Sequence, residues 1–327
     1  MKAVVVGSTF GSVYAEGIRI ADNVELAGIV GRGSKRSSSL AAMYDVPFFE
    51  GVDSIPADID LACVVVRSAL VGGDGVEISR SLLERGIHVI QEQPMHSSEV
   101  LDLTKFAAEH GCRFMLNGFY PYLDSIRCFV DAASSLRKRC GLLAIDATAC
   151  VQVAYPFVEV VGKVAGSLHP FKLNRVACAG PFDILVGNVG GIPLTVRYQN
   201  EMDSSDPDNN AIALMRINAY SDEGVLSLHD VYGDVVWSPR FQVGKAAADS
   251  SNLSSAEDAR IDILHKGAET YDSILAEQWP KGIANMLSER LEERNPLSTT
   301  QFQVSACLAW QEFTSTLGAP SELKQRR

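Results

Sequence analysis

Two residues in the first half of the chain have side chains that could deliver a proton to a reacting group. His96 ends the stretch Gln91-Glu92-Gln93-Pro94-Met95-His96, which directly follows the apolar run Ile87–Ile90, and Tyr120 lies just before Pro121. Imidazole titrates near neutral pH and a phenol is a weaker acid, so both side chains are suited to general acid catalysis. The sequence therefore predicts His96 and Tyr120 as catalytic residues.

Each of these residues also has a structural interpretation. His96 precedes Ser97 and Ser98, and it fits equally well as an exposed residue at the start of a helix. Tyr120 could fill the seam between two domains, and Tyr122 competes with it for the acid role. The sequence alone does not choose among these alternatives.

A glycine-containing turn, Gly7-Ser8-Thr9-Phe10-Gly11-Ser12, directly follows the apolar run Ala3–Val6. Only Gly7 matches the pattern Gly-x-Gly-x-x-Gly in place, because Thr9 and Ser12 occupy the other two glycine positions. The turn nevertheless joins a predicted strand to a predicted helix, which aims backbone N–H groups and the positive helix end at a pyrophosphate. We therefore predict a dinucleotide site at Gly7, Thr9, Phe10 and Gly11, with a plain strand-to-helix turn as the alternative.

The residues that follow the second predicted strand, Val24–Val30, indicate which dinucleotide is bound. The segment Gly31-Arg32-Gly33-Ser34-Lys35-Arg36-Ser37 contains three cations and no carboxylate. A carboxylate here would bind the ribose hydroxyls of NAD, whereas arginine beside a serine hydroxyl suits a 2′-phosphate. NADPH is therefore predicted, although a solvated basic loop that caps the next helix through Ser37 stays possible. The predicted contacts are Gly31, Arg32, Gly33, Ser34 and Arg36.

Further coenzyme contacts are predicted where later strands end. Arg67 and Ser68 follow the apolar run Leu61–Val66, and Glu92 and Gln93 follow Ile87–Ile90. Ligands of open parallel sheets bind beyond the carboxyl ends of the strands, so these residues should line the coenzyme cleft. Arg67 could instead contact an anionic group of the substrate.

The elements that must position these residues divide the chain in two. Residues 1–120 alternate between short apolar runs and longer amphipathic segments, which predicts an α/β Rossmann domain with a parallel sheet. Residues 121–327 have longer and less regular apolar runs, which predicts an α+β domain with a mostly antiparallel or mixed open sheet. In this second domain we predict helices near 157–164, 256–276, 279–290 and 301–313.

Composition excludes several classes of partner. The chain has 29 basic and 40 acidic residues and a net charge of −11, which disfavours nucleic acid and anionic membranes as main partners. The first residues do not resemble a signal peptide, and no apolar run approaches the ~18 residues of a membrane span. The seven cysteines are scattered, and no histidine lies in a cluster with ligand spacing. We therefore predict a cytoplasmic protein with no disulfide and no metal site.

These motifs together resemble the glucose-fructose oxidoreductase/inositol dehydrogenase superfamily, and within it the thiazolinyl imine reductases. The superfamily resemblance lies in the architecture and in Glu92-x-Pro94, while the narrower one lies in segments spread over nearly the whole chain. These segments are 5–14, 31–37, 66–68, 91–96, 119–121, 191–200 and 206–209.

The resemblance implies a function. Such enzymes are stand-alone, NADPH-dependent partners of nonribosomal peptide synthetases in siderophore assembly, and they reduce a thiazoline C=N to a thiazolidine while a phosphopantetheinyl arm carries the substrate. The reaction needs a hydride at carbon and a proton at nitrogen. A thiazoline nitrogen is more basic than a ketone oxygen, so a weak acid suffices. The resemblance also implies a homodimer that pairs through the second-domain sheet.

One position departs from both families. Sugar dehydrogenases of the superfamily carry a catalytic lysine where this chain has Gln93, and imine reductases often carry a histidine there. A sugar or cyclitol dehydrogenase would also need an Asp-x-x-x-His pair, which Asp183 and Asn188 do not form. A non-catalytic regulator that keeps the fold and binds NAD(P) is the other alternative.

Overall fold

The computed structural model of the protein describes residues 1–66, 72–241 and 260–323. The chain forms two compact units, of which the first comprises Met1–Leu123 and Thr270–Leu308. The second comprises Asp124–Glu269 and Ala309–Arg327. The sequence placed everything after residue 120 in one domain, whereas the structure returns 270–308 to the first unit.

A six-stranded parallel sheet is the centre of the first unit, with strand order β3-β2-β1-β4-β5-β6. The order reverses between β1 and β4, which makes the gap between these strands the switch point where ligands of such sheets bind. The fully buried apolar residues of β1, β4 and β5 explain the parallel arrangement, because helices cover both faces. The strands are β1 (Lys2–Val6), β2 (Glu25–Gly31), β3 (Phe48–Glu50), β4 (Leu61–Val64), β5 (His88–Glu92) and β6 (Phe114–Asn117).

Amphipathic helices connect these strands, as the alternating pattern predicted. They are α1 (Gly11–Ile20), α2 (Lys35–Met43), α3 (Gly75–Glu84) and α4 (Ser97–Glu109), with 3-10 turns at Val52–Ser54 and Tyr120–Tyr122. The C-terminal segment contributes α7 (Tyr271–Ser273), a π-helical turn Ile274–Gln278, α8 (Trp279–Leu291) and α9 (Pro296–Leu317). The boundary between the units falls within α9, after Leu308.

Close packing of α1 and α8 explains why the C-terminal segment joins the first unit. A Cβ atom added at Gly17 would lie 2.5 Å from the Cβ of Ile283, so the two helices meet where α1 has no side chain. Ile283, Met286 and Leu287 of α8 are fully buried. Since sequence patterns report only which face of a helix is apolar, they could not show which domain this face covers.

The second unit contains an eight-stranded sheet of order β15-β14-β13-β12-β7-β10-β9-β8. Only the pair β10 and β7 is parallel among the pairs recorded in this sheet, which agrees with the predicted mixed sheet. Its strands are β7 (Ala144–Cys150), β8 (Phe171–Ala179), β9 (Phe182–Val189), β10 (Ile192–Gln199), β12 (Met215–Ser221), β13 (Gly224–Leu228), β14 (Val235–Pro239) and β15 (Asp262–His265). A small parallel pair is formed by β11 (Glu201–Met202) and β16 (Ser321–Glu322).

One face of this sheet is buried and the other is open. Leu194, Val196 and Tyr198 of β10 are buried, while the alternating residues Thr195 and Arg197 are exposed. Helices α5 (Asp124–Cys140) and α6 (Ala154–Ala165) and the 3-10 turn Val151–Val153 complete the unit. Its core is aromatic in part, since the ring of Phe313 packs 4.9 Å from Tyr198, 5.9 Å from Phe157 and 6.5 Å from Phe171.

The predicted helix 256–276 is wrong over residues 260–270, and its first residues lie outside the described part of the chain. Asp262–His265 forms strand β15, which pairs with β14, and α7 begins only at Tyr271. The run is too short and its exposure too irregular for a helix to bury an apolar face there.

Candidate functional site

The turn after β1 lies at the switch point of the parallel sheet and passes so close to the chain after β4 that residue 7 must be glycine. Gly7 has a φ of +101°, and a Cβ atom there would lie 2.7 Å from the carbonyl oxygen of Val65. Helix α1 then begins at Gly11, and the side chain of the N-cap residue Phe10 makes no capping hydrogen bond. The first N–H groups of α1 therefore have no side-chain cap from Phe10, which suits a pyrophosphate.

Three serine hydroxyls join this turn to the end of β2. Ser34 caps α2 by accepting a hydrogen bond from the Ser37 backbone N–H at 3.2 Å, and the two hydroxyls lie 2.9 Å apart. The Ser37 hydroxyl also donates to Ser8 at 3.0 Å. Gly31 permits this contact, since a Cβ atom there would lie 2.6 Å from Oγ of Ser37. Ser8 and Ser37 were not among the predicted contacts.

The basic loop has carboxylate neighbours that its own sequence does not reveal. Arg32 forms an ion pair with Asp74, the residue before α3, and both side chains are substantially exposed. Glu50 at the end of β3 lies beside Gly33, where a Cβ atom would be 3.0 Å from its carboxylate oxygen. Arg36 is exposed in the first turn of α2. The loop therefore combines cations with two carboxylates from other segments.

The end of β4 is held by a buried amide. Gln91 is fully buried, accepts a hydrogen bond from Ser79 at 2.6 Å and donates to the carbonyl oxygen of Val66 at 2.9 Å. This contact fixes the chain at Val66, two residues after the end of β4. The predicted contacts Arg67 and Ser68 come next and lie outside the described residues.

Glu92 belongs to a hydrogen-bonded cluster with Tyr14 and Asn117. The Tyr14 hydroxyl donates to the Glu92 carboxylate, and the Asn117 amide nitrogen donates to the Tyr14 oxygen and, at 3.3 Å, to the same carboxylate. Tyr14 and Asn117 are fully buried. Burial, followed by the charge of Glu92, raises the pKa of Tyr14 well above its usual value, so this phenol stays protonated.

Gln93 occupies the position after the cluster. Its backbone N–H donates to the Asn117 carbonyl oxygen at 3.1 Å, which ties the end of β5 to the end of β6. Its side chain is half-buried and carries an amide, which does not titrate.

His96 has the structural role that the sequence offered as its alternative. The residue is exposed and caps α4: its Nδ1 accepts from the Ser98 backbone N–H at 3.4 Å and lies 2.8 Å from the Ser98 hydroxyl. The His96 backbone N–H donates to the Glu99 carboxylate at 2.9 Å, which completes a capping box. This geometry occupies one ring nitrogen, and the catalytic role of His96 stays a prediction.

Tyr120 lies in an aromatic cluster of the first unit. Its ring centroid is 5.3 Å from that of Phe119, which in turn lies 5.2 Å from Phe10 and 6.1 Å from Trp279. Phe10 also lies 5.5 Å from Trp279, so these rings form one continuous group. The Phe119 ring thus contacts two predicted site residues, Phe10 in the turn after β1 and Tyr120. The competing residue Tyr122 is 3% exposed, which leaves it little access to a substrate.

A groove of about 750 Å³ runs between the end of α1 and α8 and contains none of the predicted site residues. Within the described ranges, His, Cys, Asp and Glu side chains form no group of three that could hold a metal ion. No helix in the described part of the chain has both the length and the hydropathy of a membrane span.

Comparison with known protein families gives two matches, one in each of the two units. Residues 1–118 match the model of an oxidoreductase family with an NAD-binding Rossmann fold. Residues 142–238 match the model for the C-terminal domain of Irp3-like thiazolinyl imine reductases. None of the curated proteins searched matches the chain.

Solved structures share the fold at low sequence identity. An oxidoreductase from Agrobacterium radiobacter in complex with NAD+, L-tartaric acid and magnesium has a TM-score of 0.71 and 9% identity over 97% of this chain and 96% of its own. GenD2 from gentamicin A biosynthesis, in complex with NAD, has a TM-score of 0.69 and 14% identity over 97% of this chain and 94% of its own. Biliverdin reductase from Synechocystis sp. PCC 6803, with biliverdin and NADP+, has a TM-score of 0.63 and 11% identity over 96% and 98%.

Proposed function

Because the chain belongs to the thiazolinyl imine reductase family, within the glucose-fructose oxidoreductase/inositol dehydrogenase superfamily, we propose that it reduces a thiazoline C=N to a thiazolidine with NADPH. The substrate is a nonribosomal peptide intermediate of the siderophore type, tethered to a carrier protein. The observation that carries this proposal is the match of residues 142–238 to the C-terminal domain of thiazolinyl imine reductases.

The residues at the switch point fit a pyridine dinucleotide. Gly7 lets the turn pass close to the Val65 backbone, and the start of α1 supplies backbone N–H groups without a cap from Phe10. Gly7, Thr9, Phe10 and Gly11 would hold the pyrophosphate there, and Glu92 and Gln93 would border the nicotinamide end. When bound, the reduced coenzyme supplies a hydride to the imine carbon.

The chain itself must supply the proton that goes to the imine nitrogen. Tyr120 is our preferred donor, because it joins the aromatic cluster that begins at the coenzyme turn. His96 is the second donor we propose, through the ring nitrogen that does not cap α4. Gln93 cannot carry a proton, and this supports a substrate whose nitrogen is more easily protonated than a sugar ketone.

A preference for NADPH follows from Arg32, Ser34 and Arg36. Guanidinium and hydroxyl donors suit a 2′-phosphate, and all three residues are exposed, Arg32 and Ser34 in the loop after β2 and Arg36 in the first turn of α2. Asp74 and Glu50 oppose this preference, because each places negative charge beside the same loop. The preference for NADPH therefore depends on whether the attraction of Arg32 and Arg36 for the 2′-phosphate exceeds its repulsion by Asp74 and Glu50.

We extend the proposal to assembly and location. The exposed residues of β10 alternate with buried ones, so the second-unit sheet offers a face for a homodimer. Seven free cysteines and the use of NADPH fit the cytoplasm. Molar mass in solution tests the dimer directly.

The proposal is tested by coenzyme oxidation with a thiazoline. Purified protein is mixed with NADPH and a thiazoline, either synthetic or loaded on a carrier domain, and the product is examined by mass spectrometry. We expect oxidation of NADPH and a gain of two hydrogens in the product. Coenzyme binding without turnover would favour the non-catalytic regulator, and turnover of a sugar or cyclitol instead would favour the dehydrogenase.

A further inference from the structure

The backbone that leads into Tyr120 has a conformation that L-amino acids rarely adopt. Phe119 has φ 58° and ψ −65°, and the Tyr120 N–H donates to the Gly118 carbonyl oxygen at 2.7 Å. These values describe a γ-turn centred on a bulky residue, which is a strained arrangement. Such backbone strain persists only where surrounding contacts hold it.

One side chain holds this turn by a direct hydrogen bond. The side-chain oxygen of Asn117 accepts from the Phe119 backbone N–H at 2.8 Å, so the central residue of the turn is fixed from the end of β6. The Phe119 ring is 3% exposed and packs between Phe10 and Trp279, which prevents it from turning outward.

Asn117 is itself fixed at its other end. Its side-chain nitrogen donates to the Tyr14 hydroxyl and to the Glu92 carboxylate, and its backbone carbonyl oxygen accepts from the Gln93 backbone N–H. The amide orientation follows from these partners, because Phe119 offers a donor and Glu92 offers an acceptor. Asparagine has both an acceptor for the Phe119 N–H and a donor for the Glu92 carboxylate. Aspartate and leucine have a similar size, but a carboxylate has no donor and leucine has neither group.

We infer that Asn117 is a positioning residue for Tyr120: it maintains the γ-turn at Phe119 and links that turn to the Tyr14–Glu92 pair. The inference rests on the proposed role of Tyr120 as proton donor. In this role Asn117 contacts neither substrate nor coenzyme. It acts by fixing the backbone between the end of β6 and Tyr120. Asn117 thereby fixes the position of the Tyr120 backbone relative to Glu92 at the end of β5.

A double-mutant cycle tests whether Asn117 acts through Tyr120. Asn117→Ala should lower kcat by about tenfold or more in the wild-type background and by less than about twofold in Tyr120→Phe. The Kd for NADPH should stay the same in all variants, which separates positioning from a general loss of structure. Equal losses of kcat in both backgrounds would overturn the inference.

Tyr14→Phe is the matched control within the same cluster. It removes one hydroxyl but leaves the bonds from Asn117 to Phe119 and Glu92 in place. We expect kcat within about threefold of wild type. A loss equal to that of Asn117→Ala would contradict a specific role of the turn.

A substrate-free measurement keeps this inference distinct from the proposed function. With 3-fluorotyrosine incorporated, the 19F resonance of Tyr120 is assigned by its disappearance in Tyr120→Phe. Asn117→Ala should shift or broaden this resonance, and Tyr14→Phe should leave it nearly in place. An unshifted resonance in Asn117→Ala refutes the positioning role. If the resonance shifts but the protein turns over no thiazoline, the shift supports the positioning role and the missing turnover refutes only the proposed function.

Discussion

The carboxylate of Asp74 binds the guanidinium of Arg32, so a cation expected to recognise a 2′-phosphate already has an anionic partner. The two residues come from separate loops, after β2 and before α3. A bound phosphate must therefore compete with Asp74 or share Arg32 with it. Because both side chains are exposed, the ion pair itself contributes at most about 1 kcal/mol.

Asp74→Asn should strengthen NADPH binding. Removing the competing charge is expected to lower the Kd for NADPH by about two- to fivefold, with little change for NADH. Coenzyme fluorescence titrations at fixed ionic strength measure both constants, since salt screens such charges. Asp58→Asn is the control, because it removes the same charge from the exposed pair with Lys2. An unchanged affinity in Asp74→Asn would show that Asp74 does not compete with the coenzyme, and a weaker affinity would show that the ion pair helps to hold it.

Gly7→Ala should reduce both stability and coenzyme binding. The substitution forces a side chain into a left-handed conformation and brings its Cβ to 2.7 Å from the Val65 oxygen. We expect a loss of about 2 kcal/mol or more in the free energy of unfolding, together with at least tenfold weaker coenzyme binding. Gly86→Ala has a similar positive φ with open space around it, so it should lose about 1 kcal/mol and bind coenzyme normally. Denaturant unfolding and calorimetric titration provide the two measurements.

Tyr120→Phe should slow turnover without weakening NADPH binding. Loss of a general acid lowers kcat by about a hundredfold or more, while the ring contact with Phe119 is retained. Steady-state kinetics with a thiazoline gives kcat, and titration gives the Kd for the coenzyme. Tyr122→Phe serves as the comparison. If it lowers kcat as much as Tyr120→Phe does, the effect is not specific to Tyr120 and the acid role cannot be assigned to it.

His96 should contribute to stability through its cap. His96→Ala is expected to lower the free energy of unfolding by about 1 kcal/mol, and His96→Asn should restore it because asparagine is a good N-cap. Because His96→Asn keeps the cap and removes the imidazole, its kcat reports the contribution of the imidazole to catalysis alone. A fall in kcat at unchanged stability supports His96 as proton donor, and an unchanged kcat removes it from the mechanism.

Acidification should destabilise the protein through His88. Burial, and then the charge of Arg113, lowers the pKa of His88 below its usual 6.5, and its Nδ1 accepts from the Arg113 backbone N–H at 2.9 Å. Below pH 6.5 the unfolded chain therefore binds a proton that the folded chain does not, so stability falls until the lower folded pKa is reached. His88→Gln should flatten the decline in unfolding free energy as the pH falls below about 6.5. An identical decline in this variant would assign it to other groups.

Local sequence patterns were sufficient for the first sheet but not for every strand of the second. Four consecutive apolar residues in β4 and a similar run in β1 can be buried only on both faces, so the parallel sheet follows from the sequence. Strand β8 gives no such signal, because only Phe171 and Leu173 of its nine residues are buried. An edge strand needs few apolar residues, and its pairing with β9 becomes visible only in the folded chain.

The predicted site shows the same division. Gly7 and Tyr120 could be predicted as site residues because a turn after a strand and a tyrosine beside a strand end are recognisable in a short window. Tyr14 and Asn117 were missed as partners of Glu92, although both polar groups interrupt apolar stretches. Nothing in the spacing of these residues indicates that they meet, because their contact depends on the order of β5 and β6 and on how α1 covers them.

By itself, the sequence determined the two kinds of sheet and the position of the glycine turn after β1, and it shows glutamine at position 93. Periodicity and turn chemistry act over a few residues, and they can therefore be read from a linear chain. Tertiary structure alone decided that Asp74 faces Arg32, that Asn117 holds the turn before Tyr120, and that α8 packs on α1. Contacts between distant segments depend on the packing of whole elements, and the physical reason is that a side chain's partner is fixed by topology rather than by its neighbours in sequence.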